Sequence, residues 1–249
     1  MRRSTAKLMH ETANLAYWME NPNWNSGNPA FNVVCRALQA LPFSVHKFAK
    51  QAFFDTNRLI AVNGESVVAA NGADKVCKFM FRYPDKMPLD TFRENVAHEV
   101  GAVTSCLAGV ALPTEVSVKP ADIFRRVRRP IPTVTQTQQR LDLDLHRALN
   151  LRELEDEATS PIRDRTAKDI EIMLRGIDTL AAGYDFFPDI ANNSDNLRRC
   201  RLHGEVILID VMPIHANGDR LIGDHPPGLL EHSLEHIREY QTFVGQYGG

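Results

Sequence analysis

The stretch NRLIAVNGESVVAANGADKVCKFMF, Asn57 to Phe81, decides the fold. Arg58 to Val62 is apolar and β-branched, and it ends at Asn63-Gly64-Glu65. Ser66 to Ala70 returns, Asn71-Gly72-Ala73-Asp74 turns again, and Val76 to Phe81 runs out as a third apolar segment. Asn-Gly between apolar runs is a strong short-range hairpin signal, so the stretch predicts an antiparallel three-stranded meander. Lys78 lies in the middle of the third run. A charged amine on a buried strand costs free energy unless the fold supplies a partner, which marks Lys78 as a candidate functional residue.

Downstream, Tyr83 to Pro88 reads as a loop, and Asp90 caps a helix from Thr91 to about Leu107. Phe92, Val96, Val100 and Val103 recur at helical spacing, and Glu99 borders that face. Glu94 is the competing carboxylate, but five residues place it about 140° away round the helix. Glu115 to Lys119 and Thr133 to Gln139 read as strands. Leu141 to Glu157 reads as a charged helix. A longer helix follows from Arg163 to about Tyr184, with Ile170, Met173, Leu174, Ile177 and Leu180 on one face. Glu205-Val-Ile-Leu-Ile-Asp210 is an apolar strand ending in a carboxylate, and Leu229 to Tyr247 is a last helix.

Upstream, Asn21 to Asn32 is a loop rich in Asn, Pro and Gly. Pro29 to Phe54 carries apolar residues at helical spacing interrupted by Pro42. The expected organisation is a helical N-terminal extension over 1–55, a β-rich part with one helix over 56–140, and a mostly helical part over 141–249. The fold class is α+β.

Composition narrows the function classes. A formal net charge of −2 gives no global attraction to nucleic acid or to an anionic membrane. The arginine clusters at 125–129 and 198–201 lack the interleaved aromatics of a nucleic-acid surface and read as solvated loop charges. Cys35, Cys77, Cys106 and Cys200 form no CxxC pair, which argues against a zinc site and a disulfide framework and fits a reducing cytoplasm. No apolar run approaches membrane-spanning length. His232 and His236 stand at i, i+4 without an evident third ligand, as in a surface pair.

Taken in order, Lys78, Glu99, Asp189 with Asn196, and Asp210 resemble the protein-kinase-like superfamily over roughly 57–214. Gly64 matches the glycine of a phosphate-covering loop and Val68 the apolar residue lying on the adenine. Lys78 matches the strand lysine on the phosphates, and Glu99 the helix glutamate that orients it. Phe186-Phe-Pro-Asp189-Ile-Ala-Asn-Asn-Ser-Asp-Asn196 resembles the catalytic loop, with Asp189 as the base and Asn196 as a magnesium ligand. The spacing is seven residues where the family has five, so Asn193 or Ser194 is the alternative to Asn196. Leu208-Ile-Asp210-Val-Met212 resembles the region of the metal-binding aspartate. Phe187-Pro188 stands in place of the family's His-Arg, and Val211-Met212 in place of Phe-Gly.

The resemblance implies a two-lobed fold, ATP and Mg2+ as ligands, and phosphoryl transfer to a protein Ser/Thr hydroxyl. The alternatives are a small-molecule kinase and a nucleotide-binding pseudokinase serving as an interaction module. With 39 residues after Asp210, the helical lobe is reduced, as in bacterial effector kinases or the PhoP-network regulator group.

Overall fold

A computed structural model describes residues 9, 12, 33, 36, 37, 39–62, 66–80, 87–125, 132–155, 161–190, 196–215 and 229–247. The fold mixes helix and strand. It divides into two compact units that do not follow chain order: Met1–Leu89 with Glu115–Gln138, and Asp90–Thr114 with Gln139–Gly249. Among the described residues no helix is long and apolar enough to cross a membrane.

The first unit is built on helix α1 (Phe43–Phe53) and strands β1 (Leu59–Val62), β2 (Ser66–Asn71), β3 (Lys75–Met80), β4 (Thr114–Pro120) and β5 (Pro132–Gln139). The strands form one sheet in the order β1-β2-β3-β5-β4. The expected meander is present: β1 pairs antiparallel with β2, and β2 with β3. Gly72, at φ +79°, makes the turn between β2 and β3, a conformation that glycine adopts without a side-chain penalty. The turn expected at Asn63-Gly64-Glu65 lies outside the described residues.

Successive side chains on a strand alternate between faces, and that alternation sets the core. Val67 and Ala69 of β2 and Cys77 and Phe79 of β3 join Val62, Phe54, Ala121, Ile123 and Phe124 in one buried cluster. Burying such side chains stabilises by about 1.5–3 kcal/mol each for the larger ones. Phe54 and Phe124 bridge antiparallel with their rings 5.2 Å apart, which ties the end of α1 to the segment after β4. The opposite face of β2 and β3 carries Ser66, Val68, Ala70, Val76, Lys78 and Met80. Strand β5, interior to the sheet, is buried from Thr133 to Gln138 despite its polar sequence. Cys77 Sγ lies 3.3 Å from Thr137 Oγ1.

The second unit holds α2 (Leu89–Cys106, from its second residue on), β6 (His146–Ala148), α3 (Leu151–Glu155), α4 (Pro161–Gly183), β7 (Phe186–Pro188), β8 (Leu197–Cys200), β9 (Val206–Leu208), β10 (Pro213–His215) and α5 (Leu229–Tyr247). Its five short strands are more β structure than the expected mostly helical part. They form a three-stranded sheet, β6-β8-β9, and a separate ladder, β10-β7.

The expected helix over 141–157 is also corrected. Asp142 Oδ1 accepts the backbone N–H of Asp144 at 2.9 Å, a local turn that competes with helix. His146–Ala148 then pairs with β8, and helix resumes only at Leu151, where Asn150 Oδ1 accepts the N–H of Arg152. Tertiary pairing overrides the charge pattern here.

Helix α4 packs against α5, β7 and β9. Its buried face runs through Thr166, Ala167, Ile170, Met173, Ile177 and Leu180, as the apolar spacing predicts. Asp169, also on that face, accepts Arg165 Nε with both oxygens at 3.0 and 3.1 Å and accepts the backbone N–H of Val206 at 3.0 Å. A buried carboxylate is tolerable when its charge is paired and its oxygens are bonded, and both hold here.

Candidate functional site

In the second unit two antiparallel ladders are nested along the chain. The inner one pairs β8 with β9, Leu197 opposite Leu208. The outer one pairs β7 with β10, Pro188 opposite Pro213 and Phe186 opposite His215. The link after β7 and the link between β9 and β10 thus each join an end of the outer ladder to an end of the inner one. Asp189 begins the first link and Asn196 ends it, while Asp210 lies in the second.

The inner ladder extends one step beyond its named strands, because Ile209 N–H donates to Asn196 O at 2.8 Å. Asn196 is thus opposed to Ile209, at the Cα separation of about 4.5–5.5 Å usual in an antiparallel pair, and Asp210 is the next residue along the chain. Asp210 Oδ1 accepts the N–H of Met212 at 3.2 Å, a turn that redirects the chain into β10 and fixes the carboxylate. Backbone pairing therefore sets Asn196 opposite the residue before Asp210, while Asp189 directly follows the strand that pairs with β10.

The start of the first link is pinned from α5. Tyr240, fully buried, donates its hydroxyl to Ile190 O at 2.9 Å. Burial pushes its phenol far above the usual range, with the carboxylates of Glu239 and Asp189 adding to the shift, so it remains a neutral donor. Val211 and Ile190 are both buried, which anchors each link by an apolar residue next to its carboxylate.

Glu99 is buried on α2 at 8% exposure. Its Oε2 lies 3.1 Å from His215 Nε2, and since a carboxylate only accepts, the imidazole donates. Burial raises the Glu99 carboxyl above its ordinary value. The hydrogen bond and charge of His215 pull it back, Asp185 raises it further, and His98 lowers it slightly. Asp185 Oδ1 approaches His215 Nδ1 at 4.0 Å. Aromatic contacts run from His98 to Tyr184, from Tyr184 to Phe186, and from Phe186 to His215, with centroids 5.8, 5.1 and 5.4 Å apart.

Lys78 and Val68 belong to the first unit. They face each other directly across β2 and β3, both half-buried on the sheet face away from the apolar cluster. Gly64, Asn193 and Ser194 lie outside the described residues. Of the histidine pair on α5, His236 Nδ1 bonds Glu239 Oε2 at 2.7 Å.

Sequence reasoning missed His215 and Asp185. The only local signal for His215 was its place in Pro213-Ile214-His215, too short a run to read as a strand. Among the described residues no group of three or more His, Cys, Asp or Glu side chains is placed to hold a metal. The Asp210 carboxylate and the Asn196 side-chain carbonyl are each hard oxygen donors of the kind magnesium takes, which binds one or two carboxylates and completes its shell with water and phosphate oxygens. No family model and no curated protein sequence matches the chain.

Proposed function

We propose that this chain is an ATP- and magnesium-dependent phosphotransferase of the protein-kinase-like type, acting on a protein Ser/Thr hydroxyl in the cytoplasm. The observation that carries the reading is the nested pairing of β7 with β10 and β8 with β9. It supports the reading by opposing Asn196 to the residue before Asp210 and by pairing the strand that leads into Asp189 with the strand that follows Asp210. The reading takes the β-rich part over 56–140 as one lobe, with Lys78 on an interior strand of the five-stranded sheet, and the part over 141–249 as the other.

In this reading Asp210 and Asn196 hold magnesium, which neutralises charge on the nucleotide phosphates when bound. Lys78 meets the phosphates, with Glu99 as its orienting carboxylate, and Val68 lies against the adenine beside the loop of Gly64. Asp189 orients the acceptor hydroxyl and takes its proton, a contribution typically worth about 10²–10⁴ in rate. Replacing Asp189 therefore lowers turnover far more than it weakens ATP binding.

Thermal unfolding with and without Mg-ATP tests the reading. Ligand at about 100 times its dissociation constant stabilises the folded state by about 2.7 kcal/mol. For a chain of this size that raises the midpoint by about 5–10 °C. The shift requires magnesium and is lost in Asp210→Ala. Saturating Mg-ATP with no shift in the wild-type protein would refute the reading.

A second reading, a nucleotide-binding pseudokinase acting as an interaction module, is favoured by Phe187-Pro188 and Val211-Met212 in place of the family's catalytic pairs. It predicts the thermal shift without phosphoryl transfer to any acceptor.

A further inference from the structure

The contact between Glu99 and His215 joins residues 116 positions apart, one on helix α2 and one on strand β10. Both side chains are largely withdrawn from water, at 11% and 14% exposure, whereas Asp185 on the other side of the ring is 68% exposed. The imidazole thus has a buried carboxylate at Nε2 and a solvated one at Nδ1. The ring of Phe186 lies against it, and Tyr184 and His98 extend the aromatic contacts back to α2. The ionisable groups around the pair are therefore Asp185 and Tyr184 from the turn before β7, and His98 from α2 itself.

We infer that His215 is a positioning residue for Glu99: its imidazole, set between the carboxylates of Glu99 and Asp185, clasps α2 to β10. The imidazole donates to the buried Glu99 carboxylate, and without that donor the carboxylate is left uncompensated and α2 loosens from β10. Because β10 pairs with β7, a loosened α2 also loses its tie to the ladder that leads into Asp189 and out of Asp210. The clasp stands on geometry within one compact unit. Its consequence for Glu99 as the orienting carboxylate rests on the phosphotransferase reading.

Amide hydrogen exchange over residues 96–103 of α2 tests the inference. His215→Ala removes the donor and lowers protection about tenfold, whereas His215→Gln keeps a neutral donor and restores most of it. In a Glu99→Ala background His215→Ala has only a small effect. An equal loss for His215→Ala and His215→Gln, or a loss that persists unchanged with Glu99→Ala, overturns the inference. Should His215→Ala not fold, Glu99→Gln, which keeps an acceptor oxygen, retains most of the protection that Glu99→Ala loses, and equal losses for those two overturn it. The exchange measurement needs no nucleotide. A protein with this pattern and no Mg-ATP binding keeps the clasp and loses the phosphotransferase reading, and the converse result does the reverse.

Discussion

Gly204 and Gly72 form a matched pair for testing how the β8–β9 hairpin is held. Both adopt left-handed backbone, at φ +73° and +79°, so alanine at either position carries the same local strain, about 1–2 kcal/mol. Their surroundings differ. A Cβ at Gly72 meets nothing within 4 Å. At Gly204 it would run into Ile162 O and lie 2.9 Å from Ile162 C, on the first turn of α4, and 3.0 Å from Thr166 Oγ1. Backbone cannot yield as a side-chain tip does, so the hairpin must move away from α4. That overpacking adds about 1–3 kcal/mol. The bond between Thr166 Oγ1 and Gly204 O, 2.7 Å, is lost with the movement for about 1 kcal/mol more.

Gly72→Ala should thus cost about 1–2 kcal/mol and Gly204→Ala about 3–6 kcal/mol. Urea unfolding followed by circular dichroism measures both, with the slope checked so that the midpoints report stability. In thermal scans the same values correspond to falls of about 2–8 °C and 6–24 °C. Equal losses for the two variants would refute the close approach of Gly204 to α4.

Asp169→Ala leaves the buried N–H of Val206 without its acceptor, for about 1–3 kcal/mol, while the half-exposed Arg165 returns to water for about 0–1 kcal/mol. Asp169→Asn retains an acceptor for Val206 and costs less; urea midpoints that rank Asn below Ala would contradict this. For Glu99 the sign follows from a folded-state carboxyl held above its ordinary 4.5 by burial first. Its favourable contribution is complete below pH 4.5 and declines as pH rises through the folded value. Glu99→Gln should therefore gain stability relative to the wild-type protein as pH rises above 4.5. Denaturant midpoints across that range check it, and a relative loss with rising pH would reverse the assignment of cause.

Local chemistry in the chain was enough to place the β1–β3 meander and the two long helices α4 and α5. Alternating apolar residues around Asn71-Gly72 specify a hairpin, because the turn and its flanking strands are neighbours in sequence. Ile170, Met173, Ile177 and Leu180 repeat with the helical period, because one face of that helix meets one apolar surface. Periodicity also put Glu99 at the border of a buried face and Asp210 at the end of an apolar strand.

What periodicity could not supply was partners. Three residues such as Phe186–Pro188 or Pro213–His215 are too few to show a period, and they become strands only because each meets the other. The same long-range pairing overrode the charged pattern of Leu141 to Glu157, leaving a turn, a strand and a short helix where one helix was expected. Asp189, Asn196 and Asp210 are recognisable singly from their local settings, but which strands pair beside them is a property of the nested ladders. The partner of Glu99 within its unit, His215, was decided by tertiary structure alone. A buried carboxylate requires a donor, and which donor reaches it depends on which distant strand the fold lays beside the helix.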